Sequence, residues 1–67
     1  MTPDDLIAWQ AHMGFTQQQA ADALGVRLNS YQELRRGQSF RGQPRGIDKR
    51  TALACAAIKA GLDPYGG

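Results

Sequence analysis

The sequence predicts an all-α domain of four short helices. Three observations carry this: apolar residues recur at helical spacing, capping residues precede three of the four periodic stretches, and a glycine follows each. The first helix is expected after Thr2. Thr2 is the N-cap, Pro3 suits the first helical position, and Asp5 completes a Thr-x-x-Asp variant of the capping box. Asp4 and Asp5 also favour the positive end of the helix dipole. Leu6, Trp9 and Met13 face the core, His12 lies on the helix surface, and Gly14 ends the helix.

The second helix repeats the pattern. Thr16 caps it, Gln19 stands three residues later, and Ala20, Ala21, Ala23 and Leu24 form a small-residue face before Gly25. Val26 is an apolar plug in the turn. Leu28 or Asn29 opens the third helix, which runs to about Arg36 with Tyr31 and Leu34 inward and Gly37 closing it. Tyr31 is expected in the core with its hydroxyl reaching the surface. Two short helices joined by a glycine-containing turn, here spanning about 16–36, form a helix-turn-helix. Residues 37–47, GQSFRGQPRGI, lack periodicity and are expected to be a loop, of a length that is often functional. The fourth helix starts near Asp48 and ends at Ala60–Gly61. Its TALACAAI stretch is apolar on every side, so it needs cover on more than one face. Cys55 is a small buried apolar residue there.

Bulk composition sets the frame. A chain of 67 residues is one small domain, 1–67. Such a domain buries only about 60% of its unfolded surface. Cys55 and His12 are each the sole residue of their type, so neither an internal disulfide nor a four-ligand metal site is expected. That leaves a second copy of the chain as the expected supplement, a homodimer in which Ile58, Leu62, Pro64 and Tyr65 would line the interface. No apolar run approaches the ~20 residues that cross a bilayer. The opening MTPDDLIAWQ is acidic and lacks the order of a secretory signal, so a cytoplasmic chain with no membrane partner is expected. No carboxylate pair, Cys–His arrangement or phosphate-binding glycine loop suggests an enzyme, a cofactor or a small-molecule ligand.

The net charge of +2 conceals an asymmetry. Residues 1–26 carry Asp4, Asp5 and Asp22 and no Lys or Arg. Residues 27–50 carry Arg27, Arg35, Arg36, Arg41, Arg45, Lys49 and Arg50 against only Glu33 and Asp48. A basic segment of this kind either meets a phosphate backbone or is an ordinary solvated face.

The stretch GFTQQQAADALGVRLNSYQELRRG, Gly14 to Gly37, resembles the Cro/repressor (Xre-type) helix-turn-helix family. The matching features are Gly14, Thr16-Gln17, Ala21, Leu24-Gly25-Val26, the pair Tyr31 and Leu34, and Gly37. The resemblance implies a compact four-helix domain of the lambda-repressor-like type, a two-fold dimer, a palindromic double-stranded DNA operator, and a third helix lying in the major groove. Carried over by position, it implies base-reading by Leu28, Asn29 and Glu33, with Gln32 nearby on the exposed side. Thr16 and Gln17 would meet a phosphate, and Phe40, Arg41 and Arg45 would lie against the backbone in the following loop. The chain departs from the family at Arg27, where a small hydroxyl cap is usual, and at Gln10 and Arg35, where an Arg–Glu pair is common. Arg35 is then free to face solvent or DNA.

The residue chemistry agrees with these roles and also allows plainer ones. Asn29 offers the donor and acceptor that match an adenine edge, or it serves the start of its helix. Glu33 can accept from cytosine N4, or it pairs with Arg36 or Arg27. Leu28 can meet a thymine methyl, or it is a surface apolar residue. Arg27, Arg35, Arg36, Arg41 and Arg45 are assigned to phosphate contact or minor-groove entry. The expected function is a DNA-binding transcriptional regulator, a homodimeric repressor or autoregulator of phage or mobile-element type. The alternative is a protein-interaction module, such as an antitoxin or a factor contacting RNA polymerase.

Overall fold

Three of the four helices begin at a side-chain cap, and three end at a left-handed glycine. The computed structural model describes residues 1–66, with α1 at Pro3–Met13, α2 at Gln17–Leu24, α3 at Leu28–Arg36 and α4 at Lys49–Lys59. Among the described residues there is no strand, only one isolated antiparallel bridge between Gln38 and Pro44. At the start of α1 the Asp5 N–H donates to Thr2 Oγ1 at 3.1 Å, and the Thr2 N–H donates to Asp5 Oδ2 at 2.9 Å. Thr16 and Gln19 close the same reciprocal box on α2, at 3.1 and 2.9 Å. Asp48 caps α4 by accepting the Thr51 N–H at 2.8 Å. Arg27 occupies the cap position of α3 and makes no side-chain capping bond there.

The helix ends are as local as the starts. Gly37 terminates α3 with φ +76°, a conformation that costs a Cβ-bearing residue. A Cβ at that position would also press on Pro3 Cγ at 3.3 Å, so this end of α3 lies directly against the start of α1.

The capping carboxylates couple stability to pH. Hydrogen bonding to the Thr2 backbone and then its side chain holds Asp5 below the usual carboxylate value of 3.8. Thr51, through its side chain first and its backbone second, does the same for Asp48. A depressed folded-state pKa stabilises the fold above the unfolded value and loses that contribution as pH falls through the folded one. Thermal melts should therefore show stability falling as pH drops below about 4. Asp48→Asn keeps a capping acceptor but cannot titrate, so its acid limb should be shallower. Identical acid limbs for the two proteins would show that this cap does not contribute.

The core is small and continuous. Leu6, Trp9, Ala20, Ala21, Tyr31, Leu34 and Cys55 are buried, with Met13, Phe15, Leu24, Val26, Ile47 and Ile58 packed around them. α3 packs on α1 and α2, and α4 packs on the same two helices. Trp9 joins the two sides: its Nε1 donates to the Cys55 carbonyl at 3.1 Å, and its ring meets Phe15 edge-on at 5.7 Å. Burial pushes the Cys55 thiol up, as expected of a small apolar filler.

The structure corrects two expectations about packing. Ala23 is exposed, because the inward side of α2 is made by Ala20 and Ala21, with Leu24 half-buried beside them. The Tyr31 hydroxyl does not reach the surface: the residue is fully buried and donates to Gln10 Oε1 at 2.7 Å. Ile58, expected at a dimer interface, is half-buried and packs in part against the core. Leu62, Pro64 and Tyr65 beyond α4 are exposed, as is Leu53 on the outer side of α4. No helix among the described residues is long and apolar enough to cross a membrane.

Candidate nucleic-acid interface

The candidate surface is assembled by α3, the start of α2 and the loop that follows Gly37. Tyr31 and Leu34 are sunk into the core, which turns the opposite side of α3 outward. Asn29 is exposed at the second position of α3, and Leu28 and Gln32 are half-buried beside it. Gln32 Nε2 donates to Gln17 Oε1 at 3.2 Å, which ties the middle of α3 to the first turn of α2. Thr16 uses its hydroxyl oxygen to accept the Gln19 N–H. That leaves the hydroxyl proton as its remaining donor.

The loop is more ordered in its bonding than its composition suggests. The Ser39 N–H donates to the Gln43 carbonyl at 2.7 Å, the Gly42 N–H to the Ser39 carbonyl at 2.9 Å, and the Arg45 N–H to the Gly37 carbonyl at 3.0 Å. Together with the Gln38–Pro44 bridge these bonds make a tight hairpin-like excursion with Arg41 exposed near its tip. Phe40 is 54% exposed, and the Arg36 guanidinium sits over its ring at 5.2 Å. A cation over an exposed ring is worth about 0.5–1 kcal/mol, enough to bias where Arg36 points.

Two charged residues depart from their expected surroundings. Glu33 pairs with neither Arg27 nor Arg36. Its Oε1 binds the Arg45 guanidinium and its Oε2 accepts the Phe40 N–H at 2.8 Å. Glu33 was expected among the base readers, yet its side chain is only 16% exposed and both oxygens are engaged. Arg45 is correspondingly engaged, at 38% exposure. Arg35 is half-buried rather than free, and its Nε is buried without a partner. It lines a pocket of about 390 Å³ with Ile7, Gln17, Gln32, Arg36 and Phe40. Arg27, Arg36 and Arg41 are exposed.

The position occupied by Gln10 shows how the chain manages without an Arg–Glu pair. Gln10 accepts from the Tyr31 hydroxyl and donates from Nε2 to the Phe15 carbonyl at 3.1 Å. One neutral amide therefore bridges α1, the turn before α2, and α3. Gln10 itself brings no charge into this bridge, so no desolvation penalty of the ionic kind arises there.

Sequence reasoning missed one contributor. Ile7 forms a wall of the α3-side pocket at 39% exposure. It adjoins Leu6 in the sequence, so only the arrangement of α1 against the loop brings it there. Lys49 and Arg50 are exposed in the first turn of α4, where the helix dipole disfavours cations. Both belong to the basic segment 27–50 that the sequence analysis singled out. Compared with family models, curated proteins and solved structures, the chain matches none of them.

Proposed function

We propose that this chain is a sequence-specific double-stranded DNA-binding transcriptional regulator that acts as a homodimer. One observation carries the reading. A short helix, α3, is anchored by Tyr31 and Leu34 and turns Asn29 outward beside Leu28 and Gln32, with the exposed Arg27, Arg36 and Arg41 around it. Polar side chains that can match base edges, flanked by cations that can meet phosphates, are the two components of groove recognition. Gln17 and Thr16 at the start of α2 add donors toward the same strand. The resemblance of Gly14–Gly37 to the Cro/repressor family supports placing α3 in the major groove. It also supports a lambda-repressor-like arrangement of the four helices.

The test is selection from a random duplex pool followed by footprinting of the selected sites. A regulator of this kind should enrich a symmetric sequence with half-sites about 10 base pairs apart. Weak binding of every duplex alike at physiological salt would overturn the reading. The exposed Leu53, Leu62 and Tyr65 favour a second reading, a protein-interaction module. Light scattering separates the two: a 7.3 kDa monomer that selects no duplex supports the second.

A further inference from the structure

We propose that Glu33 is a positioning residue for the loop 38–45 and not a reader of bases, an inference that rests on the DNA-binding reading above. The backbone bonds Ser39–Gln43, Ser39–Gly42 and Gly37–Arg45 shape the loop internally. Gln43 N–H adds a bond to Ser39 Oγ at 3.2 Å. Of these, only the Arg45–Gly37 bond touches α3, at its C-terminal end, and none reaches the outward side of the helix. Two contacts do so: the Glu33 carboxylate, which holds the Phe40 N–H and the Arg45 guanidinium, and the Arg36 guanidinium over the Phe40 ring. Both meet the loop at Phe40, next to the exposed Arg41.

The electrostatics point the same way. A bare carboxylate on a surface that meets phosphates repels them, and one that reads cytosine must first give up its existing partners. Here Arg45 cancels the charge of Glu33 and completes its hydrogen bonding. The consequence is a division of labour along α3. Leu28, Asn29 and Gln32 remain to face bases, Arg36 and Arg41 remain to face phosphates, and the Glu33–Arg45 pair holds the frame between them.

A charge-matched comparison tests this. Glu33→Gln and Glu33→Ala both remove the carboxylate, but only Gln retains an acceptor for the Phe40 N–H. Exchange of the Phe40 amide should quicken by about fivefold in Glu33→Ala relative to Glu33→Gln. On DNA, Glu33→Ala should bind every duplex more weakly than Glu33→Gln by a similar common factor, with the ranking of bases at each position unchanged. A new preferred base at one position in Glu33→Ala overturns the proposal whatever the amide does. Equal Phe40 exchange in Glu33→Ala and wild type overturns it too. The amide measurement needs no DNA. A wild-type chain that selects no duplex therefore overturns the functional reading, while the clamp itself is judged on Phe40 alone.

Discussion

Trp9→Ala is expected to leave the chain largely unfolded at room temperature. Truncating a buried Trp costs about 3–5 kcal/mol through lost burial and the cavity left behind. A domain of this size has only about 3–10 kcal/mol of total stability. Trp9 is 6% exposed and connects α1 to α4 through its bond to the Cys55 carbonyl. It also supports Phe15 in the turn before α2. Losing it removes a member of the core and opens the seam between two helices at once. Trp9→Phe should fold but melt at lower temperature, because it keeps much of the apolar volume and loses the N–H donor. Circular dichroism melts would decide the matter. An alanine variant that melts like wild type would show that α4 is held by something other than this contact.

Asn29→Ala is expected to leave stability within about 0.5 kcal/mol of wild type, since the side chain is exposed. Its effect should appear on DNA instead. Discrimination at one base pair should fall by about 1–3 kcal/mol, with the preferences at other positions retained. Arg41→Ala is the informative contrast. Removing a phosphate contact weakens all duplexes together and reduces the salt slope by about 0.9. If Asn29→Ala instead weakens all sequences equally, the residue supports binding without reading a base, and the recognition role would shift to Leu28 and Gln32.

These two variants probe features of different legibility. Trp9 was placed in the core by helical spacing with Leu6 and Met13, and the structure bears that out. Its donor bond to Cys55, 46 residues away, had no sequence signal. Asn29 was placed on the outward side of α3 by the inward positions of Tyr31 and Leu34, which leave it no other direction. The loop was harder to anticipate. GQSFRGQPRGI carries no period, so nothing in it announces that Ser39 and Gln43 pair or that Phe40 returns to α3. Glu33 illustrates the difficulty best. On α3 alone its neighbours in reach are Arg36 and, across the cap, Arg27. The partner it takes, Arg45, becomes a neighbour only when the loop folds back.

The sequence by itself determined where α1, α2 and α4 begin, where α1, α2 and α3 end, and most of the residues that fill the core. The capping boxes at Thr2–Asp5 and Thr16–Gln19, the cap at Asp48 and the left-handed glycines act within three or four residues of chain. Their partners are dictated by backbone geometry before any tertiary contact forms. The buried set follows from apolar spacing on each helix. Tertiary structure alone decided the partners of the polar side chains. It turned the Tyr31 hydroxyl inward to Gln10, paired Glu33 with Arg45, and left Arg35 half-buried beside Ile7. Apolar burial is non-directional, so a stripe suffices to bring helices together. A hydrogen bond or ion pair requires a particular partner at a particular distance and angle. That partner is known only after the helices and the loop have taken their places.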